Sequence, residues 1–158
     1  MRDLRLEPLT QAAFAPFGEV LTPPAPGGRD YFDRALANGR PGVWPSLSIA
    51  HVDRAATLPL AAHRLERHPA SSQSFVPLDA VRYLVVVAPA RADGGPDIDG
   101  LRAFEAADGQ GVTYAMGVWH HPLTVFAAPA RFAIWMWRDG TTGDDEFVDI
   151  PAVRFVAG

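Results

Sequence analysis

The chain has 158 residues, of which 48% are hydrophobic, and this is enough apolar material for a packed domain of ordinary size. Its 14 basic and 18 acidic side chains give a net charge of -4, which argues against nucleic acid and against an anionic membrane surface as partners. The chain has no cysteine, and every basic residue is arginine, so thiolate metal sites, cysteine nucleophiles and lysine Schiff bases are excluded.

The N-terminus and the apolar runs bear on the compartment. The first seven residues are charged at every second or third position, which is incompatible with the apolar core of a signal peptide. The longest apolar runs, residues 84–90 and 132–137, are far shorter than the roughly 20 residues that cross a bilayer. We therefore expect a cytoplasmic protein without a membrane partner.

Prolines and glycines punctuate the whole chain and divide it into segments of about six to ten residues, a spacing typical of short strands. Helices are predicted over residues 11–17, after an N-cap at Thr10, and over residues 101–107. The predicted strands are 46–52, 61–68, 73–77, 82–88, 111–116, 123–127, 132–138 and 146–150. Mostly turn signals separate these strands, so we expect one all-β domain over residues 1–158, built as a jelly roll, a β-sandwich or a small barrel with one or two short helices.

Polar side chains concentrate on the predicted strand 61–68. Side chains alternate between the two faces of a strand, so Arg64, Glu66 and His68 share one face. A turn then leads into the next strand, which can bring Gln73 alongside Glu66 and His68. Such a polar row is either a functional site or a face turned to solvent, and the position of Gln73 favours the functional interpretation.

A second cluster contains His120 and His121. Adjacent strand residues point to opposite faces, so only one of the two can share an interior with the first cluster, and the other is expected to be structural. The pattern Glu66-x-His68-(x4)-Gln73, followed later by Gly-x-x-His ending at His120, has the layout of the two metal-binding motifs of cupins. This ligand set suits Ni, Mn, Fe or Zn, whereas the alternative is that the four groups act directly in hydrogen bonding and acid–base chemistry. We expect no organic cofactor.

Two apolar segments suggest an assembly. Residues 84–87 and 132–137 are apolar on both strand faces, which indicates that one face packs against the domain core and the other against another subunit. We therefore expect a homodimer. The acidic run Asp-Asp-Glu at residues 144–146 is expected to be a solvated turn, because consecutive carboxylates diverge. Arg102 is expected to be a surface residue of the second helix.

Several short blocks together resemble the ureidoglycolate lyase family. They are Glu-Arg-His-Pro at 66–69, Leu-Arg-Ala-Phe at 101–104 and Trp-His-His-Pro at 119–122, with Pro-Leu-Thr at 8–10 extending the likeness over most of the chain. The sequence departs from the family pattern at 137–140, where Trp-Arg-Asp-Gly stands in place of an Asp-Arg-Gly pattern. The resemblance implies a cupin-like double-stranded β-helix, usually a homodimer, that splits the small molecule ureidoglycolate of allantoin catabolism into glyoxylate and urea.

The chemistry of that substrate assigns roles to the clustered residues. Elimination of urea needs a base for the hydroxyl proton, an acid for the departing nitrogen and a cation for the carboxylate. His68 and His120 suit proton transfer near neutrality, and Glu66 orients one of them or acts as the base. We expect Gln73 to hold the ureido group or a metal and Arg64 to bind the carboxylate. Two alternatives are another metal-dependent cupin enzyme acting on a small hydroxy acid and a non-catalytic module that binds a small carboxylate.

Overall fold

A computed structural model describes residues 1–107 and 109–158 of the chain. This described part is built from short strands and one helical turn, α1. The bounds are β1 (Arg2–Arg5), β2 (Glu7–Pro8), α1 (Gln11–Phe14), β3 (Gly18–Leu21), β4 (Pro45–Val52), β5 (Leu60–Arg67), β6 (Gln73–Pro77), β7 (Tyr83–Ala88), β8 (Arg102–Ala106), β9 (Gly111–Tyr114), β10 (Trp119–His120), β11 (Thr124–Val125), β12 (Ala130–Trp137) and β13 (Glu146–Val156). Within the described ranges, no helix is long and apolar enough to cross a membrane.

The strands form two sheets. Sheet A has the order β1-β13-β5-β10-β7-β8-β2, with β11 also paired to β7, and sheet B has the order β3-β9-β6-β12-β4. Sheet A curls until β1 contacts β8, which nearly closes it into a barrel, and sheet B packs against one side of it. The predicted all-β, cupin-like barrel is confirmed.

Two hydrophobic cores lie on opposite faces of sheet A. The inter-sheet core lies between the two sheets, where Val85 and Val87 of β7 meet Phe75 and Phe132 of sheet B. The barrel core lies inside the curl of sheet A and includes Val86, which points the other way from the same strand. Period-two alternation thus places successive β7 residues in different cores, and the whole strand is buried.

This arrangement corrects one reason for expecting a second subunit. Residues 84–87 are covered on both faces by the chain itself, because the curl of sheet A supplies the second cover. The other apolar strand, β12, differs, since Trp135 and Trp137 are only half-buried on the outer face of sheet B. Beside them on β4, Leu47 is 62% exposed.

The first predicted helix is confirmed in a shorter form, and the second is wrong. Thr10 caps α1, because its Oγ1 accepts a hydrogen bond of 3.2 Å from the backbone N–H of Ala13. Residues 101–107 were expected to form a helix, but β8 runs there as an antiparallel partner of β7. Pairing with a fully buried strand outweighs local helix propensity. Arg102 lies over the Phe104 ring at 4.8 Å and forms an ion pair with Glu7.

Candidate active site

The candidate site lies where the two sheets face each other at one end of the inter-sheet core. On sheet A, His120 pairs in register with Glu66 on one side and with Val87 on the other, so it shares the inter-sheet face of Val87. On sheet B, Gln73 pairs with Tyr114. The Tyr114 ring stacks on the His120 ring, with centroids 4.2 Å apart and planes inclined by 10°. Each sheet therefore contributes half of the site.

The turn from β5 to β6 brings His68 to the same place. This turn carries the chain from sheet A to sheet B, and the carbonyl of His68 accepts a hydrogen bond of 3.0 Å from the backbone N–H of Gly117. The rings of His68 and His120 have centroids 5.3 Å apart. The two motifs that were separated in the sequence thus meet in space.

Three predicted residues converge here, and the fourth, Gln73, lies on the facing sheet beside Tyr114. One ligand atom each of Glu66, His68 and His120 lies within 4.8 Å of the others, and His120 Nε2 is 3.4 Å from Glu66 Oε1. Both histidines are buried, whereas the Glu66 side chain is 15% exposed. Gln73 is buried with its Nε2 donating to Met136 Sδ at 3.7 Å, and its buried Oε1 has no hydrogen-bond partner among the described residues.

The backbone fixes the tautomer of both histidines. The Nδ1 of His120 lies 2.9 Å from the carbonyl oxygen of Val118, and the Nδ1 of His68 lies 3.1 Å from the carbonyl oxygen of Asp144. Asp145 adds a carboxylate oxygen 2.9 Å from the same Nδ1. Carbonyl oxygens only accept hydrogen bonds, so Nδ1 carries the proton in each neutral ring and Nε2 has a free lone pair.

The resulting site is rich in acceptors. Among the residues that the structure describes, the buried Nε2 atoms of His68 and His120 and the buried Oε1 of Gln73 have no hydrogen-bond partner. With the carboxylate of Glu66 beside them, they form a set of two nitrogen and two oxygen acceptors. Such a set fits either a divalent cation of intermediate softness or the N–H and O–H groups of a polar ligand.

The electrostatics keep Glu66 charged and Tyr114 neutral. Burial alone would raise the pKa of Glu66. The adjacent His120 lowers it by more, through a hydrogen bond and its positive charge when it is protonated, and the charges of His68 and His121 lower it further. The pKa of Glu66 therefore lies below its usual value. Burial, with smaller contributions from Tyr83 and Glu66, raises the pKa of Tyr114 well above its usual value. Tyr114 is therefore a neutral aromatic support for His120.

His121 belongs to a different environment, as the alternation of the strand predicts. Its ring meets Phe155 of the barrel core edge-on at 5.9 Å, and its Nδ1 lies 2.9 Å from the carbonyl oxygen of Pro122. Burial lowers the pKa of His121, so it is neutral near pH 7. Only His120 faces the cluster.

Arg64 is the predicted site residue that the structure leaves outside this cluster. Its side chain is exposed and its Nε lies 2.8 Å from Asp149 Oδ1 on the neighbouring strand β13. Within the described part of the chain, no hydrogen bond or ion pair joins Arg64 to the clustered residues. Its role in binding a carboxylate stays a prediction and requires the Asp149 pair to open.

Sequence reasoning missed the internal partners of the acidic run at residues 144–146. The run at 144–146 was expected to be solvated, but the Asp144 side chain is only 1% exposed and accepts a 2.6 Å hydrogen bond from Arg40 Nη2. Asp145, which follows it, faces His68 instead. Consecutive carboxylates do diverge here, but each one reaches a partner within the protein. Tyr114 was also missed, although its place in an alternating strand was a usable signal.

The fold and the site together define a cupin-like β-barrel protein with a buried cluster of Glu, two His and Gln side chains. A family model described as ureidoglycolate lyase matches residues 1–153. The ureidoglycolate lyase of Burkholderia mallei is 42% identical over 149 residues, which cover 85% of this chain and 82% of the relative. That of Azotobacter vinelandii is 40% identical over 145 residues (85% and 84%), and that of Schizosaccharomyces pombe is 34% identical over 173 residues (91% and 89%). The chain belongs to the ureidoglycolate lyase family.

Proposed function

We propose that this protein is a ureidoglycolate lyase, which splits ureidoglycolate into glyoxylate and urea. The observation that carries the proposal is the convergence of Glu66, His68 and His120, with Gln73 on the facing sheet, in a chain of this family. The test is incubation of the purified protein with ureidoglycolate while glyoxylate and urea are both measured. Equal release of the two products supports the proposal. Thermal stabilisation by the substrate without turnover would instead favour a binding module.

The reaction moves one proton from oxygen to nitrogen on the same carbon. The hydroxyl O–H bond breaks, its electrons form the C=O bond of glyoxylate, the C–N bond breaks, and the urea nitrogen takes up a proton. The unprotonated Nε2 of a histidine accepts the first proton. Since oxygen and nitrogen share one carbon, the same imidazolium can return a proton to the departing nitrogen.

His120 is the residue best supported as this proton carrier. Its Nε2 carries no proton in the neutral ring and lies 3.4 Å from the Glu66 carboxylate, which can stabilise the imidazolium after proton uptake. His68 has its own carboxylate, Asp145, at the far side of its ring. The amide oxygen of Gln73 is free to accept an N–H of the ureido group.

As the alternative to direct acid–base catalysis, we propose a divalent metal, such as Ni, Mn, Fe or Zn, as a cofactor of this cluster, in which case His120 would be a ligand and not the proton carrier. Glu66, His68 and His120 would hold it, with Gln73 as a fourth ligand, because all four present acceptor atoms. Such an ion would act as a Lewis acid on the hydroxyl and carboxylate oxygens of the substrate. Elemental analysis of the purified protein, and glyoxylate release before and after dialysis against a chelator, test this part. Full activity in metal-free protein would refute it and leave direct acid–base catalysis.

Arg64 is proposed to bind the substrate carboxylate after releasing Asp149. An Arg64→Ala protein should then show a raised KM for ureidoglycolate with a smaller change in kcat, because the lost contact is present in the ground state and in the transition state. Asp149→Ala is the matched control, since it frees Arg64 without removing it and should not raise KM. An unchanged KM in Arg64→Ala would assign the carboxylate to another group.

The outer face of sheet B is proposed as the interface of a homodimer. Leu47 and Ile49 of β4 are 62% and 59% exposed and pair with Trp135 and Ala133 of the half-buried strand β12. Trp44, just before β4, is exposed as well. A contiguous apolar surface of this kind is typical of a subunit contact. A protein that sediments as a monomer at micromolar concentration would refute the dimer.

A further inference from the structure

The acidic turn, defined as residues 139–145, is tied together by one buried carboxylate. Asp144 accepts hydrogen bonds from the backbone N–H groups of Asp139 at 3.1 Å and Gly140 at 2.7 Å. It also accepts one from Arg40 Nη2 at 2.6 Å, and Arg40 Nη1 binds the Asp139 carboxylate at 3.0 Å. Arg40 comes from a segment far away in the sequence, so it clamps the acidic turn from outside.

The same turn carries two oxygen atoms beside His68 Nδ1, of which the Asp144 carbonyl oxygen is hydrogen-bonded to the ring and the Asp145 carboxylate forms an ion-pair contact. The carbonyl oxygen of Asp144 and the carboxylate of Asp145 both lie within 3.1 Å of His68 Nδ1. A displacement of the acidic turn would therefore remove both acceptors at once. The imidazole would then be free to tautomerise, and a proton on Nε2 would block its function as a base or as a ligand.

We propose that Arg40 and Asp145 are positioning residues, which hold His68 in the tautomer with a proton on Nδ1 and a free lone pair on Nε2. Asp145 acts on the ring directly, and Arg40 acts through Asp144. The catalytic consequence rests on the proposed lyase function, whereas the tautomer is a property of the free protein.

The geometry distinguishes positioning from simple stabilisation. A turn that served only to close the chain would need the Asp144 side chain and its amide donors, but it would not need Asp145, which is 47% exposed and has His68 as its ion-pair partner. The position of this exposed carboxylate on Nδ1 is explained by a role toward the imidazole. Groups that orient a functional histidine typically change activity or metal affinity by about 10- to 100-fold when they are removed.

The experiment measures the tautomer without substrate. Imidazole nitrogen shifts of His68 are recorded by NMR near pH 8, with chelator present, in the wild-type full chain and in the Asp145→Ala, Arg40→Lys and Arg40→Ala variants. The control is Arg131→Ala, which removes another arginine–aspartate pair, with Asp79, outside the acidic turn. We expect the Nδ1–H tautomer in the wild type and the control. Asp145→Ala keeps the carbonyl acceptor of Asp144 and should show a small Nε2–H population, whereas Arg40→Ala displaces both acceptors and should show a larger one. Arg40→Lys should restore part of the wild-type shift.

Kinetics supply the second readout. In Asp145→Ala, kcat for glyoxylate release should fall by about 10- to 100-fold with little change in KM, because Asp145 lies at the Nδ1 side of the His68 ring and not at Nε2. Wild-type nitrogen shifts for His68 in both Asp145→Ala and Arg40→Ala would overturn the proposal, whatever their activities. Asp145→Ala changes an exposed side chain and is expected to fold, so its nitrogen shifts still test the proposal if Arg40→Ala does not fold. If the wild type releases no glyoxylate, the lyase proposal fails and the tautomer result still decides the positioning role.

Discussion

His120, the last residue of β10, and His121, which follows it, allow a matched test of the proton carrier. His120→Gln keeps a polar side chain of similar length beside Tyr114 and Glu66 but removes the imidazole that can take up and return a proton. His121→Gln makes the same chemical change one residue later, where the ring packs against Phe155. The two variants therefore differ in the face of the strand that they alter and not in the kind of substitution.

The expected loss follows from the value of a positioned proton transfer. Each such transfer contributes about 10²–10⁴-fold, so kcat/KM of His120→Gln should fall by about that factor, or about 2.7–5.4 kcal/mol at about 1.36 kcal/mol per tenfold. The loss should be largely in kcat, because the amide can still form a hydrogen bond to bound substrate. His121→Gln should keep the wild-type kcat/KM and lose about 1 kcal/mol of stability with its buried hydrogen bond.

The assay is glyoxylate release from ureidoglycolate, accompanied by urea unfolding curves for all three proteins. These curves separate a loss of activity from a loss of folded protein. Wild-type turnover by His120→Gln would refute the assignment of His120 as the proton carrier. An equal loss in His121→Gln would also refute it, because the effect would then come from packing around β10 and not from the group that faces the cluster.

Three further predictions concern stability and assembly. Phe132→Ala removes a fully buried ring of the inter-sheet core and should lower the free energy of unfolding by about 3–5 kcal/mol in urea denaturation. In the same assay, Phe147→Ala should change it by less than about 0.5 kcal/mol, since Phe147 is 55% exposed. Burial raises the pKa of Asp144, but hydrogen bonds from Arg40 and two backbone amides lower it by more, so the pKa lies below its usual value. The ionised Asp144 therefore stabilises the folded protein above about pH 4, and this stabilisation is lost at lower pH. Asp144→Asn should therefore flatten the decline in stability from about pH 5 to about pH 3. Leu47→Arg should convert a sedimenting dimer into a monomer.

Each of these predictions has an outcome that contradicts it. Equal losses in Phe132→Ala and Phe147→Ala would mean that burial does not decide their contributions. A pH profile of Asp144→Asn parallel to that of the wild type would mean that another carboxyl controls acid unfolding. A Leu47→Arg protein that remains dimeric would place the interface on another surface.

The strands were predictable where their side chains alternate or are uniformly apolar. The strand β6 has the predicted bounds, and β5, β7 and β12 differ from prediction by one or two residues at their ends. The segment 101–107 was mistaken for a helix because its local sequence favours one, and only pairing with β7 decides otherwise. The strands β1 to β3 were missed. Arg2–Arg5 is a charged segment whose strand conformation depends on parallel pairing with β13 at the other end of the chain.

The site was predictable to the extent that strand geometry determines it. Alternation and spacing were enough to predict that Glu66, His68 and His120 lie close together. Asp145 could not be predicted in the same way, because its contact with His68 depends on the conformation of a turn and on the Arg40 clamp. Contacts made by turns between distant segments leave no periodic pattern in a sequence.

The short connection from sheet A to sheet B restricts where insertions and deletions can be tolerated in the chain. Residues 68–72 connect the end of β5 to the start of β6, so a single insertion or deletion there would shift Gln73 relative to His68 and turn its amide out of the cluster. The exposed segment 22–30 has no such restriction, because none of its residues reaches the cluster. Length variation among functional relatives should therefore accumulate before β4 and be absent from the connection between the sheets.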